Sequence, residues 1–195
     1  MRQYKISFAS GVLLAAFTIS VANARTVLFD FEDQAFGATT ALASTQNGLT
    51  ATFASPTDLH GFQISGGFYQ TLTGNYLASP GPDFVTGNTL TIAFSQGVRA
   101  IRLNFATDTD PTLSLAADNG GAASAIGTAP GGFFLYPEGV LAYSGGYFRS
   151  VALSSAALSF AIDNVSVTVP EPSAFALLGV AALGVGLVRR RSDLR

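Results

Sequence analysis

The chain has 195 residues with 10 Lys and Arg against 12 Asp and Glu, 48% hydrophobic residues, 21 glycines, 16 phenylalanines, and neither cysteine nor tryptophan. The missing cysteines exclude a disulfide framework, a thiolate metal site and a cysteine nucleophile. Between two apolar ends, residues 25–169 carry four arginines, no lysine and ten acidic residues, a formal charge of −6, so nucleic acid, which binds clustered positive charge, is not an expected partner.

At the N-terminus Arg2 and Lys5 precede an apolar run over 6–21, and Ala22-Asn23-Ala24 follows as an A-x-A site. This order predicts a secretory signal peptide over 1–24, recognised at Ala22 and Ala24, exported by the Sec machinery and leaving a mature chain that begins near Arg25. Residues 25–168 are long enough for one domain with its own core.

Turn signals punctuate this middle region: Asn47-Gly48, Gly66-Gly67, Pro80-Gly81-Pro82, Gly87-Asn88, Asn119-Gly120-Gly121 and Gly145-Gly146. Helical periodicity is missing, and the runs between the turns alternate as strands do. Strands are predicted at 26–31, 48–53, 67–73, 112–116, 132–136, 147–153 and 157–169. Residues 89–94 and 99–105 add two more, read as a hairpin about Ser95-Gln96-Gly97-Val98: Leu90, Ile92 and Phe94 share one face, as do Ile101, Leu103 and Phe105. About nine short strands at this spacing predict an all-β, two-sheet β-sandwich. In the last strand Phe160 and Ile162 have one parity and Val165, Val167 and Val169 the other, which predicts a bulge at Asp163-Asn164.

Val27-Leu28-Phe29-Asp30-Phe31-Glu32-Asp33 and Phe160-Ala161-Ile162-Asp163-Asn164-Val165-Ser166-Val167 resemble the first and closing strands of jelly-roll, galactose-binding-like domains. That resemblance implies a jelly-roll arrangement and a structural calcium held by Glu32 and Asp163, with Asp30 or Asp33 and main-chain carbonyls completing the six to eight oxygens such an ion takes. The residues themselves leave another reading open: Asp163 and Asn164 bonding local backbone at a bulge, and Glu32 and Asp33 starting a solvated loop. Asp108-Thr109-Asp110 with Asp118 has D-x-D spacing but lacks the rest of an EF-hand loop, and reads as a solvated turn.

Catalysis finds no motif. The only histidine, His60, stands two residues from Asp58 in a polar loop and reads as surface, and neither H-E-x-x-H nor G-x-S-x-G occurs. A carboxylate pair for glycoside cleavage depends on a separation that only the fold can set. The expectation is no enzymatic activity. For carbohydrate binding, Tyr136, Tyr143 and Tyr147 are the candidate stacking residues, with Tyr69 and Tyr76 in another loop region. The absence of tryptophan and the demand of a core for phenylalanine weigh against it.

The C-terminus closes with Val-Pro-Glu-Pro-Ser at 169–173, an apolar stretch over 173–188, and Arg189, Arg190 and Arg191. Pro170 and Pro172 keep the first piece extended and present Glu171 on a short stiff stalk. Sixteen apolar residues make roughly 24 Å of helix, slightly short of a ~30 Å bilayer core. Snorkelling flanks or local thinning accommodate that difference. Arginines at the far end place everything before Pro170 outside the inner membrane.

Pro170-Glu171-Pro172, the small-residue-rich apolar helix and the arginine cluster resemble the PEP-CTERM sorting signal over about 168–192, a tail also labelled an ice-binding-protein C-terminal domain. The label gives no reason to expect ice binding. The resemblance implies Val169, Pro170, Glu171, Pro172 and the arginines as the sorting signal, an inner-membrane intermediate, and processing near Pro-Glu-Pro by exosortase, a membrane-embedded cysteine transpeptidase of Gram-negative bacteria that make extracellular polysaccharide. The chain is therefore expected to be a non-enzymatic surface or extracellular-matrix protein. The alternative is a carbohydrate-binding module that holds extracellular polysaccharide.

Overall fold

The computed structural model describes residues 24–39, 41–55, 62–79, 89–133, 135–157 and 159–170, all within one compact unit, Asn23–Glu171. Among the described residues there are eleven strands and no helix: β1 (Ala24–Phe29), β2 (Gly37–Thr39), β3 (Ala41–Gln46), β4 (Leu49–Ala54), β5 (Phe62–Gly66), β6 (Asn75–Ala78), β7 (Thr89–Thr107), β8 (Thr112–Ala117), β9 (Ala122–Ile126), β10 (Glu138–Ser154) and β11 (Phe160–Pro170). The signal peptide expected over 1–24, all but Ala24, and the apolar span expected over 173–188 lie outside the described residues, within which no helix is long and apolar enough to cross a membrane.

All eleven strands belong to one hydrogen-bonded sheet. Its main path runs β2-β5-β6-β11-β7-β10-β8-β9, with β1 added to β11, β4 to β7 and β3 to β4. The strands β7 and β10, 19 and 17 residues long, form the spine. Their C- and N-terminal parts, respectively, pair with each other beside β11, and their remaining parts pair with each other between β4 and β8.

The core follows from alternation. Leu49, Ala51 and Phe53 of β4, Leu90, Ile92 and Phe94 of β7, and Leu113 and Leu115 of β8 are buried on every second position, as a sheet with one dry face requires. Phe29 of β1 meets Phe53 of β4 edge-on with ring centroids 6.2 Å apart, and Phe31 meets the same ring at 5.1 Å. These elements do not hydrogen-bond to each other, so the sheet folds over on itself and traps one core, a sandwich-like arrangement.

The expected hairpin at 89–105 is corrected to a single strand. The sequence Ser95-Gln96-Gly97-Val98 does not reverse the chain: Val98 is fully buried, and β10 accompanies β7 on both sides of it, with register shifts between Ser144 and Ser150. A turn-like composition here produces an irregularity at which the paired strands bend, since two extended halves with a common partner gain more ladder than a reversal would. Two other predicted strands, 67–73 and 132–136, lie outside any strand. In the second, consecutive left-handed backbones at Gly131 (φ 93°) and Gly132 (φ 66°) break the extended path.

Strand β11 contains the expected register break, located between Asp163 and Ser166, with Asn164 at φ 51°. It moves Val165, Val167 and Val169 onto the core face that Phe160 and Ile162 already occupy. Before the break, the opposite face is covered as well: Ala161 belongs to a second, smaller cluster with Leu72, Tyr76, Ala78 and Ala106. Strand β1 runs antiparallel along the later half, from Phe29 opposite Val165 to Ala24 opposite Pro170. The body's first and last described residues therefore lie side by side at one end of β11.

Candidate functional site

The second cluster is roofed by loop 67–74 between β5 and β6. Having no ladder partner, the loop satisfies its backbone with carboxylates. Glu138, buried at the start of β10, accepts the N–H of Gln70 on Oε1 at 2.9 Å, and on Oε2 the N–H of Thr71 at 2.6 Å and its hydroxyl at 2.5 Å. Asp163 Oδ2 accepts the N–H of Thr73 at 3.2 Å, and Glu32 Oε1 accepts that of Asn75 at 3.2 Å. The amide of Asn104 donates to the Thr71 carbonyl at 3.3 Å. Three acidic side chains from separate parts of the chain thus clamp the loop and the first residue of β6 after it, and Leu72 is pressed into the cluster beneath.

Gly74 shows how closely the clamp fits. Its backbone sits at φ 70°, and a Cβ there would run into the Glu32 carboxylate. Gly74→Ala is expected to cost about 1–2 kcal/mol from the left-handed backbone alone, with the collision added. Thermal unfolding of the variant checks this.

The clamped loop presents an aromatic cleft. Phe68, 57% exposed, lies 5.5 Å from both Tyr69 and Tyr136 between ring centroids, and Tyr69 lies 5.2 Å from Tyr76 and 6.0 Å from Tyr136. Gln63 and Ser65 from β5, Asp108 after β7, and Ser159 before β11 complete the walls of a cleft of about 330 Å³, at the small end of ligand sites. Among the described residues no lysine or arginine lines it. Burial, reinforced by Tyr76, Tyr136, Asp108 and Glu138, raises the Tyr69 hydroxyl well above the ordinary phenol range, and burial also raises Tyr76. Both stay neutral near pH 7, able to donate and accept hydrogen bonds.

The predicted ligand-binding tyrosines are dispersed. Tyr136 joins the cleft. Tyr143 packs on Phe148 at 5.3 Å, donates its hydroxyl to Asn119 Oδ1 at 3.0 Å, and lines a different groove with Arg102 and Ser166. Tyr147 is exposed, with the Arg99 guanidinium 4.4 Å above its ring and donating to its hydroxyl at 2.9 Å. Of the D-x-D cluster, Asp108 faces the cleft, Asp110 accepts the Thr112 N–H at 2.8 Å, and Asp118 accepts those of Arg149 and Ser150 at 3.1 Å. Asp58 and His60 lie outside the described residues, as do Ala22, Glu171, Pro172, Arg189, Arg190 and Arg191, whereas Ala24 opens β1 and Val169 and Pro170 end β11. Glu138 and Phe68 carry no sequence signal of their own. A lone Glu after a proline and a Phe after two glycines are unremarkable until the loop is seen closed over them.

Asp163 is fully buried. Burial first, then the nearby Glu32 and Asp30 carboxylates, raise it from its ordinary 3.8 to about 6, against the lowering effect of N–H groups from Asn164 and Thr73. Glu32 and Asp163 are therefore brought within electrostatic reach, as the calcium expectation required. The donor set does not fit that ion, however. Both Asp163 oxygens accept N–H groups, from Thr73 and Asn164, Glu32 accepts another, and no group of three or more His, Asp or Glu side chains among the described residues is arranged to hold a metal. An aspartate bonding its own bulge matches the other reading of these residues.

Residues 168–191 match the family model of the PEP-CTERM protein-sorting motif. The motif implies an exported protein, processed by exosortase and delivered through the membrane to the cell surface or extracellular space. No curated protein matches the chain. Among solved structures, the chain is similar to the K1 cleaved adhesin domain of Lys-gingipain from Porphyromonas gingivalis W83, with TM-score 0.44 and 13% identity over 73% of this chain and 97% of that one. It is also similar to a mutant of the family 29 carbohydrate-binding module CBM29-2 complexed with mannohexaose, with TM-score 0.35 and 8% identity over 75% and 92% of the two chains. At these TM-scores neither likeness bears on what this chain binds.

Proposed function

We propose that the chain is a non-enzymatic surface or extracellular-matrix protein of a Gram-negative bacterium. On this reading it leaves the cytoplasm through the Sec machinery under a cleaved signal peptide, and pauses in the inner membrane on the span at 173–188 until exosortase cuts near Pro170-Glu171-Pro172. The body released outside is a jelly-roll-like sandwich. The observation that carries the reading is the sorting motif over 168–191. In cells that possess an exosortase, the wild-type chain is expected to yield a product with new ends near Arg25 and near the Pro-Glu-Pro element, read by mass spectrometry. Glu171→Ala is expected to accumulate as a membrane-bound precursor. Equal processing of that variant and of the wild type would remove exosortase from the account.

A second reading, a carbohydrate-binding module that holds extracellular polysaccharide, is favoured by one observation: the cleft in which Phe68, Tyr69, Tyr76 and Tyr136 converge with polar side chains. For a structural calcium at Glu32 and Asp163 the support is the resemblance alone.

A further inference from the structure

We infer that the cleft between loop 67–74 and Tyr136 takes an uncharged sugar chain and rejects acidic polysaccharide; this rests on the carbohydrate-binding reading. Each wall supplies one element of that specificity. Phe68 is exposed and stands beside Tyr69 and Tyr136, offering a ring face to the C–H side of a pyranose, the apolar face that a sugar must bury to gain from leaving water. The phenols of Tyr69 and Tyr76 are held neutral, and Gln63 and Ser65 bring an amide and a hydroxyl. Such groups pair with sugar hydroxyls in either direction. Asp108 contributes an acceptor whose Oδ1 is already fixed by the Thr109 N–H at 2.6 Å. Among the described residues the charges near the cleft are negative, Asp108 on its wall and the buried Glu138 beside Tyr69. A uronate or sulfate would enter without a cation to meet it, and a buried unpaired charge is costly.

The placement suits a surface protein. Ser159, at the cleft, immediately precedes β11, and Pro170 ends it. At about 3.3 Å per residue the strand separates the cleft from Pro170, its last residue, by roughly 30 Å. A sugar unit bound at the cleft thus lies about that far from the end of β11.

The test is affinity electrophoresis of the full chain, held in a non-glycosidic detergent, through gels containing neutral galactomannan, neutral xyloglucan or polygalacturonate. Retardation by a neutral polymer and none by polygalacturonate is expected. Phe68→Ala, at an exposed position outside the core, is expected to weaken that retardation about tenfold, as loss of one stacking ring does, and Asp108→Asn is expected to admit polygalacturonate. If Phe68→Ala leaves retardation intact while Tyr143→Ala or Tyr147→Ala abolishes it, the cleft assignment is overturned and carbohydrate binding survives. If no polymer retards the wild type, both are overturned, and retardation by polygalacturonate alone overturns the charge selection.

Discussion

Glu138→Ala is expected to lower the unfolding free energy by about 2–4 kcal/mol and to free loop 67–74 while leaving the sheet intact. The carboxylate accepts three hydrogen bonds from Gln70 and Thr71, and bonds to a charged acceptor contribute about 1.5–3 kcal/mol each. The sum is not reached, because the loop is peripheral and its N–H groups can turn to water once the clamp is gone. Thr71→Val removes only the hydroxyl bond and is expected to cost about 1 kcal/mol. Combined with Glu138→Ala it should add little, since both changes act on one contact. Amide hydrogen exchange at Gln70 and Thr71 reads the loop directly. If exchange there stays slow in Glu138→Ala, the carboxylate is not what holds the loop.

That residue also marks the limit of what the sequence discloses. Strand positions with strict alternation, such as 49–54 and 112–117, are legible because one buried face leaves a period of two. The break at Asp163 is legible for the same reason, as a change of parity. The long spine is not: Ser95-Gln96-Gly97-Val98 has the composition of a turn, and only the shared partner β10 shows that the chain carries on. Nor is the cleft. Phe68 and Tyr69 fall in the strand expected over 67–73, and what removes them from the sheet is a set of carboxylates at 32, 138 and 163, far from the loop in sequence. Pairings of this kind cost loop-closure entropy and leave no local pattern. The tail is the converse case. Its order of proline, apolar run and arginine is a linear signal, complete without a fold.

Asp163 is expected to make the body less stable as pH rises from about 4 to about 6. The carboxyl is raised from its ordinary 3.8 to about 6 by burial and by Glu32 and Asp30, so within that window the folded chain binds the proton that the unfolded chain has lost. Its contribution is fully present below about 4 and lost as pH passes 6, a difference of about 3 kcal/mol. Other carboxylates titrate in the same range, so the quantity to measure is the stability of the wild type minus that of Asp163→Asn, which retains one oxygen for the Thr73 N–H but cannot ionise. This difference should fall by about 3 kcal/mol between pH 3 and pH 7, and a flat difference would mean that the buried carboxyl is solvated well enough to behave as an ordinary aspartate. Calcium offers the competing way to relieve the same charge. A cation between Glu32 and Asp163 would stabilise the ionised form and abolish the decline between pH 4 and pH 6. Because no third acidic side chain is arranged with Glu32 and Asp163 to hold an ion among the described residues, millimolar calcium at pH 7.5 is expected to leave the melting temperature unchanged. A rise that EDTA reverses and Asp163→Asn removes would instead show that an ion binds at Asp163, and that a proton there occupies the place of a metal.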